Sequence, residues 1–134
     1  MNTRDDVKQF MLAADQVVKS EFKPEFNPEF NWQATLYMDL IKEEFLELQT
    51  AFKDFDAVEV ADACADLIWV IEGLAHTIGI PMQQVWNEVA RSNHSKVSET
   101  GKVLKRADGK ILKPDTYSPP DIKTVLEISK NDKP

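Results

Sequence analysis

Ala57-Val58-Glu59-Val60-Ala61-Asp62-Ala63-Cys64-Ala65-Asp66-Leu67-Ile68-Trp69-Val70-Ile71 is the stretch that decides the fold of this chain. Asp56 followed by Glu59 has the spacing of a capping box, and no Gly or Pro interrupts the run, so a helix is predicted from Ala57 to about Ile78. It is apolar nearly all the way round, which marks it as the buried centre of an all-α protein. Glu59, Asp62 and Asp66 stand at i, i+3 and i+7 in one narrow stripe that continues into Val70 and Gly73. Asp62 and Asp66 are the only charges between Val60 and Ile71, and an unpaired buried carboxylate costs several kcal/mol. No Lys or Arg occurs between Lys53 and Arg91 to neutralise them, so a metal ion is the economical counter-charge.

Upstream, residues from about Gln33 to Lys53 hold no Gly or Pro, and Ile41, Phe45, Leu48 and Phe52 recur at i, i+4, i+7 and i+11. This predicts a second helix with that stripe toward the core. Glu43, Glu44 and Glu47 cluster roughly 125° from the stripe's centre. Leu36, Leu40 and Ala51 flank them, so the acid side is not a fully polar surface and something covers it. Two acid rows, Glu43/Glu44/Glu47 and Glu59/Asp62/Asp66, therefore form the candidate metal site. Carboxylate oxygens with almost no histidine suit Mg²⁺, with Mn²⁺ as a substitute, rather than zinc. A helical di-iron site calls for Glu-x-x-His pairs, and neither His76 nor His94 has a glutamate three residues before it. The plainer alternatives are that Glu59 only caps its helix and that Glu43, Glu44 and Glu47 form a solvated face. Asp62 and Asp66 have few structural uses in a cation-free apolar helix.

Outside these two helices, Thr3 followed by Asp6 resembles a capping box, and Val7, Phe10, Met11, Ala14, Val17 and Val18 predict a first helix reaching about Lys19. Residues Glu21 to Trp32, with Pro24 and Pro28, read as an ordered connector whose Phe22, Phe26 and Phe30 pin onto the core. Gly79-Ile80-Pro81 breaks the chain, and Met82, Val85, Trp86, Val89 and Ala90 mark a fourth helix. Asp108-Gly109 between two short β-prone runs within Val103 to Leu112 predicts a small basic hairpin, with a further short helix at Asp121 to Ile128. At 134 residues one domain is expected, a helical core over 1–98 and a hairpin and tail over 99–134.

The net charge of −7 argues against a nucleic-acid polymer as partner. No stretch approaches a membrane span, and Met1 to Asp6 is charged rather than apolar, so a cytoplasmic setting is expected. Cys64, the only cysteine, is expected to pack, as are Trp69 and Trp86.

Glu43-Glu44-Phe45-Leu46-Glu47 followed by Glu59-Val60-Ala61-Asp62 resembles the EExxE and ExxD motifs of the MazG-like all-α nucleoside triphosphate pyrophosphohydrolases. The likeness runs from about Trp32 to Lys96, and Arg91-Ser92-Asn93-His94-Ser95-Lys96 is similar to the end of helix four in phosphoribosyl-ATP pyrophosphohydrolase-like proteins. The resemblance implies a four-helix bundle, a homodimer or homotetramer, and Mg²⁺-dependent cleavage of a nucleoside triphosphate between its α and β phosphates, serving to cleanse the nucleotide pool. The Asp of the second motif is either Asp62, with Glu59 three residues before it, or Asp66, whose following Leu-Ile-Trp-Val is also family-like; Glu59 and Asp62 rank slightly ahead. On this reading Glu44 or Glu47 takes the proton of the attacking water, and Lys96 and Arg91 meet phosphates. Asn93 reads a base edge or caps its helix, and Trp32 stacks on a base. The rivals are phosphoribosyl-ATP as substrate, and a non-enzymatic acidic helical module binding a metal or partner protein.

Overall fold

A computed structural model describes residues 2–131. Its elements are all helical: α1 Thr3–Ala13, α2 Trp32–Lys53, α3 Ala57–Ile78, α4 Met82–His94 and α5 Ile122–Asn131. They fall into two compact units that divide between Ile80 and Pro81, whereas the sequence reading placed its internal division after residue 98. Among the described residues no single helix is long and apolar enough to cross a membrane.

In the first unit α2 and α3 form an antiparallel hairpin and α1 packs on α3. The α3 cap is the one predicted: the Asp56 carboxylate accepts from the Glu59 N–H. The α1 cap is not, because the side chain of Asn2, one residue before Thr3, accepts from Asp5 N. Helix α1 also stops at Ala13, short of Lys19, where Asp15 turns to a positive φ of 58°. The apolar residues Val17 and Val18 belong to the connector instead, and Val18 still reaches the core of Val7, Met11, Tyr37 and Val70.

The connector is ordered chiefly by polar contacts, and of its phenylalanines only Phe22 is half-buried. Lys19 N and Lys23 N donate to the carbonyls of His76 and Ile78 at the end of α3. Buried Gln33 accepts from Val17 N and donates to Val17 O and to the Thr77 hydroxyl, which in turn donates to Gly73 O. Phe26 and Phe30 point outward, 71% and 75% exposed. Gly79 closes α3 in the left-handed region, and a Cβ there would lie 1.8 Å from Glu21 O, so both backbone conformation and close approach require glycine.

The buried face of α2 corrects the predicted stripe. Gln33, Ala34, Tyr37 and Ala51 are buried and Leu40, Ile41, Glu44 and Leu48 half-buried, while Phe45 and Phe52 are exposed. The helix is thus rotated toward its acid side, and the predicted cover for that side is α3. Helix α3 is less enclosed than predicted: Ala63, Val70, Gly73 and residues 75–78 are buried, but Cys64, Ile68, Trp69 and Ile71 are exposed along one side. Cys64 therefore does not pack as expected, and Trp69 makes only an edge-on contact with Phe10 at 5.6 Å between ring centres.

In the second unit α4 packs on α5. Trp86 is exposed there rather than packed. The Asp108-Gly109 turn is present, with Arg106 N donating to Lys110 O and Leu112 N to Leu104 O, but only the isolated antiparallel bridges Val97–Val103 and Lys105–Ile111 accompany it. A strand ladder this short has little to stabilise it.

Candidate active site

One register sets the α2/α3 interface. Gln33 meets Thr77, its amide nitrogen 2.9 Å from the hydroxyl. Four residues further along α2 and four back along α3, Tyr37 lies against Gly73 so closely that a Cβ on the glycine would come within 2.1 Å of the ring. The Tyr37 hydroxyl donates to Gln16, and burial pushes its pKa above the ordinary value. Seven residues further in each direction the same register brings Glu44 to Asp66, and seven more bring Ala51 to Glu59. A helical repeat that buries aromatic, glycine and alanine thus delivers two acids into the same interface.

The acids there act on one another. The Glu44 carboxyl is pushed from 4.5 up to about 7, first by loss of water, then by a hydrogen bond with Glu47 and by the charges of Asp66, Glu47 and Glu43. Asp66 is likewise raised by loss of water, by the charge of and a hydrogen bond with Asp62, and by the charge of Glu47. Two acid pairs, Glu44–Glu47 on α2 and Asp62–Asp66 on α3, are therefore coupled across the interface. Glu44 Oε2 is buried and meets no donor. A protein interior seldom leaves such an oxygen unsatisfied.

Glu59 stands apart from this group. It lines a cleft of about 430 Å³ with Glu43, Glu47, Asp54 and Asp56, at the end of the hairpin where Ala51 is buried. Glu47 belongs to both places, lining the cleft and repelling Glu44 and Asp66. Oxygen donors short of a counter-charge, one with an orphaned buried oxygen, are the donor chemistry a hard divalent cation prefers. Among the described residues no three His, Cys, Asp or Glu side chains are gathered closely enough to hold a metal ion as they stand.

Trp32 begins α2 and is 70% exposed. Arg91, Asn93 and Lys96 lie in the second unit. The Arg91 guanidinium forks onto Glu88 at 2.7 and 2.9 Å and reaches Pro119 O, which lowers Glu88 to about 2 and raises the arginine. Asn93 Oδ1 accepts from Lys96 Nζ at 3.0 Å.

Two residues were missed from the sequence. Gln33 gave no signal, since a glutamine next to a predicted helix start is ordinarily solvated. Glu72 is half-buried, with Oε1 accepting from the Thr3 hydroxyl at 3.4 Å and Oε2 buried without a donor. Its position beside the first residue of α1 suits a negative charge at a helix N-terminus. The available signal was its place as the one acid in the second half of α3.

Comparison with known proteins agrees with this helical arrangement. An uncharacterized protein of Acanthamoeba polyphaga mimivirus is 42% identical over 45 residues, 34% of this chain and 18% of that protein. The chain thus spans less than a fifth of the length of that relative. The family model described as phosphoribosyl-ATP pyrophosphohydrolase matches residues 7–93, which holds the second part of α1, all of α2 and α3, nearly all of α4 and every acid of both rows. The chain belongs to the phosphoribosyl-ATP pyrophosphohydrolase family, within the MazG-like all-α nucleoside triphosphate pyrophosphohydrolase superfamily.

Proposed function

We propose that this protein is a Mg²⁺-dependent pyrophosphohydrolase that cleaves a ribo- or deoxyribonucleoside triphosphate to the monophosphate and pyrophosphate, cleansing the cytoplasmic nucleotide pool. The observation that carries the reading is the α2/α3 register set by Gln33 on Thr77 and Tyr37 on Gly73, which brings Glu44, with its buried and unpartnered Oε2, to Asp66. A cation bound among these carboxylates would offset their mutual repulsion, and family membership supports a pyrophosphohydrolase chemistry for it to serve.

Glu43, Glu44, Glu47, Asp62 and Asp66 would hold Mg²⁺, with Mn²⁺ able to replace it, and Glu59 would reach it from the cleft. When bound, the ion neutralises charge on the phosphate oxygens and orients water. Whichever of Glu44 and Glu47 is left spare by the cation would take the proton of the attacking water. The water oxygen bonds to phosphorus at the α–β anhydride, the bridging P–O bond breaks, pyrophosphate departs with the bond's electrons, and the water's proton passes to the carboxylate. Trp32 is proposed to stack on the base, Asn93 to read it, and Arg91 and Lys96 to contact phosphates. The exposed Phe52, Phe55 and Val58 at the hairpin end support a homodimer or homotetramer, because surface patches of this kind are normally covered. A four-helix bundle is the arrangement the resemblance implies.

The test is pyrophosphate release from a panel of standard and modified nucleoside triphosphates with Mg²⁺, repeated with Asp62→Asn and Glu47→Gln. Release that both substitutions slow supports the reading, and release that neither affects contradicts it. A second reading, with phosphoribosyl-ATP as substrate, is compatible with the description of the matching family model, and adding that compound to the panel separates the two. Cation binding with no hydrolysis of any panel member would instead favour the non-enzymatic module.

A further inference from the structure

The second unit contains a cluster that the acid site does not use. The ring of half-buried Tyr117 has Lys113 Nζ 4.9 Å and Lys96 Nζ 5.8 Å from its centre, both within cation–π reach. Two ammonium groups gathered on one ring repel each other. The ion pairs are Arg91–Glu88 and Arg106–Asp108, so among the described residues no carboxylate forms an ion pair with either lysine. The surrounding stretch is itself basic, with Lys102, Lys105, Arg106 and Lys110 against Glu99, Asp108 and Asp115.

The ring is held in place from both sides. Thr116 donates its hydroxyl to Ser95 O at 3.1 Å, Ser118 N donates to Ser95 Oγ at 2.8 Å, and Tyr117 N closes a turn onto Pro114 O. Ser95 directly precedes Lys96, so the residues that fix Tyr117 also fix the start of the lysine beside it. Three residues beyond Ser118, the segment is tied again, with Asp121 N donating to Glu88 Oε2 at 2.7 Å. Asn93 holds the Lys96 ammonium from the other direction. A like-charged pair on a braced aromatic platform lacks an anion as its third component.

We propose that Lys96, Lys113 and Tyr117 form a polyphosphate subsite, in which the two ammonium groups contact phosphoryl oxygens and the Tyr117 ring keeps them at a fixed spacing. Choosing a polyphosphate over other anions rests on the pyrophosphohydrolase reading above. Lysine suits this role as a point charge with three donors, indifferent to the orientation of the phosphate it meets. Lys113 and Tyr117 are thereby additions to the residues the sequence motif suggested.

The test is calorimetric titration of inorganic tripolyphosphate into the full chain in metal-free buffer, where the acid rows contribute nothing favourable. Wild type is expected to bind, Lys113→Gln to bind about tenfold more weakly, and Lys113→Arg to retain most of the affinity. Tyr117→Phe should keep binding, since it keeps the ring, and Tyr117→Ala should lose it with its helical circular dichroism unchanged. Lys123→Gln, an exposed lysine of α5, should bind as wild type does. The proposal is overturned if wild type does not bind, if Lys113→Gln matches wild type, or if Lys123→Gln weakens binding equally. Lys113-dependent binding by a protein that hydrolyses no nucleotide would uphold the subsite and count against the enzymatic reading alone.

Discussion

Asp66 of α3 faces Glu44 of α2 across the hairpin interface, and its charge adds to burial in holding the Glu44 carboxyl at about 7 instead of 4.5. An acid whose pKa is raised by folding contributes stability that is complete below its unfolded pKa and is lost as pH rises through the folded value. In metal-free buffer the melting temperature should therefore fall as pH rises from about 4.5 to about 7, and Glu44→Gln should flatten that fall. Added Mg²⁺ should restore stability mainly at the upper end, where the acid is ionised. Thermal melts across this range check it, and an unchanged slope in Glu44→Gln would refute the coupling.

The motif ranks Asp62 slightly ahead of Asp66, and their places in the fold favour Asp66. Asp66 is half-buried and faces α2, while Asp62 is exposed and acts on Asp66 from the same helix. Asp66→Asn should lower kcat about 100-fold, and Asp62→Asn only about tenfold. Steady-state kinetics at saturating Mg²⁺ distinguish them.

Gly79 brings the end of α3 against Glu21 O at a φ of +78°. Gly79→Ala should cost about 2 kcal/mol or more, from left-handed strain and from displacement of the connector. Urea unfolding at constant m-value measures it.

Gln33 satisfies Val17 and Thr77 together. Gln33→Ala removes the partners of the part-buried Val17 N–H and C=O and one of the two partners of the Thr77 hydroxyl, which keeps Gly73 O, so a loss of about 1–2 kcal/mol is expected. Hydrogen exchange at Val17 N should quicken more than at α3 amides distant from the site.

The helices were legible because their signals are local. Asp56 with Glu59 set the start of α3, Gly79 its end, and the absence of Gly and Pro the length of α2. The stripe Asp66, Val70 and Gly73 was also readable, since only helical spacing is needed to see acid running into core. The face of α2 was not. Phe45 and Phe52 are the more apolar residues, but the interface register follows Tyr37 against Gly73, a fit of ring to missing side chain that no single helix reveals. That register then puts Glu44 inside. The end of α1 was missed for a similar reason: Val17 and Val18 continue a helical pattern, while Gln33, sixteen residues away, takes Val17's backbone groups for itself.

The central claim is that the acids of α2 and α3 act as one cation site, and titration of Mn²⁺ into wild type and Asp66→Asn near pH 8 tests it most directly. Saturable binding to wild type is expected, weakened at least about tenfold by Asp66→Asn and weakened in wild type near pH 6, where Glu44 is largely protonated. Equal affinity in the two proteins, or no binding to wild type, would contradict it.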